Sequence, residues 1–340
     1  METSTHYYTV GGLYSHNSTG RVAATNAARK AVKNMYCVMH GRLLVQMDVA
    51  QSEVRWAVNL ANDRAYAQVF WNMEKVKAEY LANPTPENKQ RVDFECDVHR
   101  QTAALMHRIP IEAVTSLQRQ GAKRIVFGLL FGQHVTTLAK NLGVEVEEAQ
   151  KLLDTFFAQF PDVHKWLLMA EKIAETKGFV DSPMGRRRHL AWAYASGDRK
   201  LIAQAQRKAR NSPIQVISSD YNLLAGIRLQ EYIETHNKDW KIVNLVHDSI
   251  IADIPYIQEE MLEYIAVAEK IFLDTSYLEQ CFGVKMVVPL AVDFDIGFKY
   301  GNCKKYDRSA PALSEIWSWL DEQVKNGTAW PKLHDEHVWG

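Results

Sequence analysis

Arg119, Lys123, Phe127 and Phe131 recur at intervals of four in the run RQGAKRIVFGLLFG. Four steps advance an α-helix by one turn plus a small drift, so these side chains share one face, each about 6 Å beyond the last. Two cations followed by two rings repeat the layout of a nucleoside triphosphate, phosphates at one end and a flat base at the other. The same spacing also describes a half-buried helix with a solvated basic edge. Two aspartates offer a second chemistry. Asp48 ends the apolar run 43–47, and Asp248 sits on the turn between the apolar runs 242–246 and 250–254. A carboxylate at a sheet core needs a cation or several donors, because unpaired burial is costly. Two such groups on neighbouring strands can hold two divalent ions about 4 Å apart, which activate a hydroxyl and stabilise a leaving pyrophosphate. Mg²⁺ suits such a pair because it takes one or two carboxylates plus substrate phosphates. Taken singly, each Asp is equally a turn or capping residue. Their separation of 200 positions does not say whether they meet.

The elements that must carry these residues alternate in type. Residues 43–47 read as a short buried strand, and a helix begins near Ser52, with Val54, Ala57, Leu60 and Ala61 on one stripe. Helices dominate from about Asp63 to Gln118, interrupted at 83–86, where two prolines stand. The helix with the four-step pattern follows, then helices over 146–160 and 162–177, a hairpin or loop around Gly185, and a basic helix over 198–215 with Pro213 marking a break or kink. After a helix over 218–235, residues 242–254 form a β-hairpin with an acid at its tip, and a further strand is expected over 287–292. Strands therefore flank a long helical insertion, an α+β arrangement.

Composition sets outer bounds. With 340 residues, 47% hydrophobic, the chain can build two domains or one large one. Forty basic and forty acidic residues cancel, so overall charge gives no support for a polyanion ligand. The segment from Arg119 to Arg210, however, holds 16 Lys or Arg against 9 Asp or Glu, a basic middle beside an acidic remainder. The four cysteines form no CxxC pair, which argues against a zinc ribbon or disulfide framework and fits a reduced compartment. The polar start METSTHYYTV carries no signal-peptide apolar block, and no run approaches the length of a membrane span.

Taken in order, these runs resemble the polymerase domain of family A DNA polymerases, over about residues 13 to 303. MDVAQSEVR is similar to the first catalytic motif, RQGAKRIVFGLLFG to the fingers motif and LVHDSI to the second catalytic motif. STGRVAAT, CDVHRQTAALM, the stretch from FFAQFPDV to GRRRHL, and RKARNSPIQ resemble the linking blocks. The resemblance implies an antiparallel palm sheet with helices, interrupted by a mainly helical fingers insertion: residues 1–54 and 214–303 for the palm, 55–213 for the fingers, and 304–340 as a C-terminal extension. It implies Asp48 and Asp248 as catalytic ligands of two Mg²⁺ ions, assisted by the Val49 carbonyl. His99, Arg119 and Lys123 would hold the dNTP triphosphate, Phe127 and Phe131 would lie against sugar and base, and Glu53 would exclude a ribose 2′-hydroxyl. Arg21, Thr25, Arg207, Asn211, Gln215 and His247 would touch primer–template DNA. The implied reaction is attack of a primer 3′-hydroxyl on a dNTP in DNA replication. Taken alone, His99 also reads as a surface or capping histidine, Asn211 and Gln215 as turn residues beside Pro213, and Arg186-Arg187-Arg188 as a solvated run.

Several positions depart from the family pattern. Phe131 stands where Tyr is usual, Ser249 where a Glu follows the second catalytic Asp, and Val49 where an aromatic is common. An insertion around 66–88 precedes the Asp97-Val98-His99 block. The match starts near the N-terminus and leaves no room for the thumb and the 3′–5′ exonuclease domain. A second polypeptide carrying one or both is therefore expected, as in the C-terminal half of a split phage polymerase, working without a membrane in the cytoplasm of a bacterium or infected host. Ser249 keeps open the alternative of a catalytically weak DNA-binding or assembly subunit of a replisome. Single-subunit RNA polymerases share the aspartates, but the combination of Glu53 and Phe127 favours DNA. The extension carries a helical pattern through Ile316, Trp317 and Leu320 that either folds back on the palm or docks a partner.

Overall fold

A computed structural model describes residues 7–10, 13–16, 33–130, 132–246 and 248–330. In chain order its elements are β1 (Tyr7–Val10), β2 (Leu13–His16), β3 (Arg42–Val49), α1 (Ser52–Ala61), α2 (Arg64–Ala82), α3 (Pro86–Glu95), α4 (Val98–His107), a 3₁₀ turn (Ile111–Ala113), α5 (Ser116–Leu130), α6 (Val135–Leu142), α7 (Val146–Gln159) and α8 (Pro161–Lys177). There follow β4 (Phe179–Asp181), β5 (Arg187–His189), α9 (Ala191–Ala195), α10 (Arg199–Thr235), β6 (Lys241–Val246), β7 (Ser249–Pro255), α11 (Gln258–Leu273), α12 (Ser276–Phe282), β8 (Val292–Gly297), β9 (Cys303–Tyr306) and α13 (Ala310–Lys325). The chain divides into two compact units. The first comprises Met1–Ala50, Asn222–Asp274 and Val292–Gly340, the second Gln51–Tyr221 and Thr275–Ala291.

The first unit is built on an antiparallel sheet in the order β6-β7-β3-β8-β9. Period-two alternation sorts most of β3: Leu43, Val45, Met47 and Val49 point into the core, while Arg42, Gln46 and Asp48 lie on the other face together with the buried Leu44. Cross-strand partners continue the sorting. Ile250 and Phe294 flank Met47 on the apolar side, and Ser249 and Asp293 flank Asp48 on the polar side. Helix α11 covers the apolar face through Met261, Tyr264, Ile265, Ala268 and Phe272, spaced at three and four residues. At Gly297 a Cβ would meet the Asn302 carbonyl oxygen at 2.7 Å, so only glycine lets the chain fold back into β9 there.

The chain after β9 folds onto this sheet. Ser309 caps α13, and Trp317 stacks on Tyr256 with ring centroids 5.0 Å apart. Asp321 accepts a hydrogen bond from the Tyr256 hydroxyl at 2.6 Å. Trp330 closes an aromatic cluster with His40, Tyr256 and Phe298 and donates from Nε1 to the Arg42 carbonyl at 2.9 Å. Of the two expectations for this segment, residues 310–330 take the fold-back.

The second unit is helical. Asp63 caps α2 through the Tyr66 amide and also accepts from the Val163 amide at the start of α8. Tyr66 stacks on Phe160 at 4.0 Å and meets Phe70 and Phe156, forming an aromatic centre for α2, α7 and α8. The interruption expected at 83–86 is the joint between α2 and α3, where Thr85 caps and Pro86 fills the first helical turn. No described helix is long and apolar enough to cross a membrane.

Two expectations differ from what is observed. The strand expected over 287–292 lies at Val292–Gly297. Residues 285–289 instead satisfy their main chain with side chains of α1 and α2: Asn59 bonds Val287 N–H at 2.7 Å, Trp71 bonds the Val287 carbonyl, and Arg55 bonds the Pro289 carbonyl. Pro213 neither ends nor divides its helix, for α10 runs through it for 37 residues. The apolar stripe Ile214, Ile217, Tyr221, Ala225, Leu229 and Ile233 is buried along the helix, and that burial outweighs the missing amide, a cost of about 3 kcal/mol.

Arg55 is fully buried on α1, held by Glu74 at 2.7 Å and lying over the Phe70 ring at 4.6 Å. Removing one partner strands the other charge, whereas replacing both with apolar groups of like size relieves it. Glu74→Ala should cost about 2–3 kcal/mol in urea unfolding, and Arg55→Met with Glu74→Leu should recover most of it. A loss below about 0.5 kcal/mol, the scatter of neutral surface changes, would show that the pair does not anchor α1.

Candidate active site

In the first unit the site grows from strand register. Asp48 lies opposite Ser249 on β7 and opposite Asp293 on β8. The β6–β7 hairpin pairs Val246 with Ser249, so Asp248 stands beside the Asp48 position, and the Asp248 carbonyl accepts the Val49 amide at 3.2 Å. The two aspartates that sequence could only nominate are thus brought together by one antiparallel pairing. Ser249 is the first residue of β7 rather than part of the turn, and its hydroxyl donates a short hydrogen bond to Asp48 Oδ1. Gln46 Nε2 reaches the same Ser249 hydroxyl at 3.5 Å.

Two further acids escaped the sequence reading. Asp293 and Asp295 lie on β8, paired with Asp48 and Gln46, on the same sheet face. The alternation of Val292-Asp293-Phe294-Asp295-Ile296 was the signal, hidden by placing the strand too early. Lys305 binds Asp293 at 3.2 Å, and burial raises the Asp295 carboxyl, with Lys305 and Lys33 opposing the rise and Asp293 adding to it. Asp48 has no such cation among the described residues. Burial pushes its carboxyl up to about 6, and Asp248, Asp293 and Asp295 push the same way, against the lowering hydrogen bond from Ser249. Val49 is buried with its amide committed to Asp248.

In the second unit α4 and α5 assemble the other candidates. Asp97 accepts the amides of His99 and Arg100, capping α4, and its second oxygen forms a short ion pair with Arg119. That cap is a partner the sequence reading did not assign. His99 is 7% exposed and tilts against Phe127 at 5.6 Å between ring centroids. Burial lowers its ring to about 4, with Lys123 and Arg119 adding to the drop and Asp97 opposing it, so His99 is neutral at pH 7. Its Nδ1 has no hydrogen-bond partner among the described residues. Lys123 is exposed, lies 5.8 Å from the Phe127 ring centre, and has no carboxylate partner among the described residues. Glu53 sits half-buried in the first turn of α1.

Arg207, Asn211 and Gln215 stand one turn apart along one side of α10. Arg207 joins Arg124, Phe127, Gln133 and His134 around an open groove of about 510 Å³ beside the end of α5. Gly132 adopts φ 64°, and a Cβ there would meet Arg207 Cγ at 2.8 Å, which keeps that approach to glycine. Arg21, Thr25, Phe131 and His247 lie outside the described residues.

Among the described residues, no group of three or more His, Cys, Asp or Glu side chains could hold a metal ion. The donor set on the sheet nevertheless fits Mg²⁺, a hard cation that binds through one or two carboxylates and completes its shell with water and substrate oxygens. Asp48, raised by burial first and by the neighbouring acids second, and answered by the Ser249 hydroxyl, is the group such a cation would relieve.

The sequence matches DNA polymerase family A over residues 11–302. It is 26% identical to DNA polymerase I of Pseudomonas aeruginosa over 82% of this chain and 28% of that protein. It is 28% identical to the thermostable DNA polymerase I of Thermus aquaticus over 81% of this chain and 29% of that protein. The chain therefore spans less than a third of the length of these curated relatives. Its fold is similar to the POL domain of Pol1 from M. smegmatis, solved in complex with DNA primer-template and dNTP, with a TM-score of 0.68 at 23% identity over 88% of this chain and 46% of that one. With the family match covering most of its length, the chain belongs to DNA polymerase family A.

Proposed function

We propose that this chain carries out template-directed DNA synthesis, joining a dNTP to a primer 3′-hydroxyl, with the first unit as palm and the second as fingers. The observation that carries the reading is the pairing of β3 with β7, which sets Asp48 against Ser249 and beside Asp248 from 200 positions away. Asp48, Asp248 and the Val49 carbonyl would hold two Mg²⁺ ions. Bound there, the ions would supply Lewis acidity to the hydroxyl and the departing pyrophosphate.

The chain's own groups would do the positioning. Ser249 fixes the rotamer of Asp48 by donating to one oxygen, leaving the other carboxylate oxygen for a ligand. Lys123 offers an uncommitted ammonium to the phosphates, while Arg119 reaches them from a guanidinium already oriented by Asp97. His99, being neutral, would donate a hydrogen bond rather than a charge. Phe127 would pack on the sugar and base, Phe131 would continue that face, and Glu53 would crowd a 2′-hydroxyl. Arg21, Thr25, Arg207, Asn211, Gln215 and His247 would track the primer–template duplex. Positioning and charge stabilisation account for most of such a rate enhancement.

Primer extension with Mg²⁺ and dNTPs tests the reading directly. Asp248→Ala should lower extension by about a thousandfold, the loss of several kcal/mol of charge stabilisation. Extension that survives the change refutes the metal assignment. No extension by the native chain under any condition favours the weak or inactive assembly subunit, for which Ser249 in place of an acid is the specific observation. Extension by the chain alone removes the expected need for a second polypeptide.

Lys123→Ala should reduce kcat/KM for the dNTP by about ten- to a hundredfold, the worth of one charge-assisted hydrogen bond. An unchanged kcat/KM would remove Lys123 from the phosphate site. A third measurement needs no turnover. The folded Asp48 holds its proton to about pH 6 against an ordinary value of 3.8, so its contribution to stability is present below about pH 4 and lost as pH rises through 6. Asp48→Asn should therefore melt higher than the native chain at pH 8 without metal, with the gap closing at pH 4. Millimolar Mg²⁺ at pH 8 should raise the melting temperature of the native chain and leave that of Asp48→Asn where it was. A gap independent of pH would show that ionising the buried Asp48 carboxyl is not what costs the fold stability.

A further inference from the structure

The acid face of the first unit carries one cation to which the polymerase reading gives no role. Lys305 stands on β9, beyond residue 302 where the family match ends. Strand register sets it opposite Asp295, on the face that also holds Asp293 and Asp48. Its ammonium reaches one pleat further along β8 and binds Asp293 Oδ2 at 3.2 Å. Asp293 is the direct cross-strand partner of Asp48. Such partners have Cβ atoms about 4.5–5.5 Å apart, near enough for two carboxylates to share one ion. Yet among the described residues no three acids form a group that could hold a metal. Asp293 is engaged instead from the β9 side, by an ammonium. Lys33 also acts on Asp295, so that acid keeps a cation if Lys305 is removed.

We propose that Lys305 selects the ion: by holding Asp293 it limits the site to the carboxylates of Asp48 and Asp248, a set suited to Mg²⁺, and withholds the third carboxylate that favours Ca²⁺. Mg²⁺ demands near-octahedral geometry, keeps several waters and is satisfied by one or two carboxylates plus substrate phosphates. Ca²⁺ takes more oxygens in looser geometry and gains affinity with each added carboxylate. The ammonium also repels any divalent ion, but that effect depends on charge and distance and is the same for both. Discrimination must therefore come through Asp293. The pair is partly open to solvent, 63% for the Lys305 side chain and 39% for Asp293, so its worth is modest. An ion that recruits Asp293 has to break the pair, and an ion that leaves Asp293 alone does not. Lys305 acts through Asp293 and is a positioning residue. The proposal rests on the reading of Asp48 and Asp248 as the metal ligands.

Ion binding by the full 340-residue chain tests it, without DNA or dNTPs, read from melting-temperature shifts in separate titrations with MgCl₂ and CaCl₂. Lys305→Met keeps the stem and removes the charge. It should raise the affinity for Ca²⁺ relative to Mg²⁺ about fivefold, the upper worth of an exposed ion pair. Lys305→Arg should keep the native ratio, and Asp293→Asn added to Lys305→Met should restore it. Lys304→Met removes the same charge from the opposite face of β9, where Lys304 lies 4.8 Å from the Trp319 ring centre, and should leave the ratio native. An unchanged ratio in Lys305→Met, or a gain that persists with Asp293→Asn, overturns the role of Lys305. No shift with either ion in any of these chains overturns it together with the metal assignment. Because no nucleotide is consumed, a chain that discriminates in this way but extends no primer overturns the polymerase reading alone. A chain that extends primer while Lys305→Met leaves the ratio unchanged loses only the role of Lys305.

Discussion

The register of β3 is the constraint on which the rest of the first unit depends. Side chains alternate along a strand, so a slip of one residue against β7 or β8 would drive Asp48 into the apolar layer and lift Met47 and Val49 out of it. The core side is filled by Leu43, Val45, Met47, Ile250, Ile254, Phe294 and Ile296, all of them buried, and α11 lies over that layer. The apolar pattern therefore locates the acids. The tail adds a second lock at the other end of the strand, where the Trp330 indole holds the Arg42 carbonyl and Arg42 itself bonds Asp239 and Asp253.

Fixing Asp48, Asp293 and Asp295 on one sheet face, with Asp248 on the turn beside Asp48, carries an electrostatic cost, and the sequence distributes its relief unevenly. Asp293 and Asp295 have lysines, although burial still raises the Asp295 carboxyl; Asp48 has a hydroxyl and a carboxyl raised to about 6. Held above its ordinary value, the Asp48 carboxyl costs the fold stability once it ionises. The helical unit shows the opposite economy. There Asp97 caps a helix and orients Arg119 with the same carboxylate, while Asp63 caps two helices at once.

Much of this was legible in the sequence, for identifiable reasons. The β6–β7 hairpin announced itself by two apolar runs around a short polar turn, and the α2–α3 joint by its prolines. The four-step face of Arg119, Lys123 and Phe127 needed only the pitch of a helix. What remained hidden was whatever depended on partners far along the chain. Asp293 and Asp295 sit in a strand whose start is set by Asn59, Trp71 and Arg55 satisfying the main chain just before it, and no local pattern records that competition. Pro213 misled for the same reason: a local breaker was outweighed by apolar burial along the whole of α10. The role of Ser249 as donor to Asp48 follows from cross-strand register, which spacing alone does not give.

The central position of β3 also sets a timetable. It is made early, yet both strands that pair with it are made about 200 or more residues later. At about 5–20 residues per second, a ribosome needs roughly 10–40 s to deliver them. For that interval the nascent chain holds an apolar strand with neither edge covered, while the intervening helices, rich in local contacts, can close within milliseconds. The native register of β3 therefore waits on strands made long after it, and its apolar face is exposed for that time.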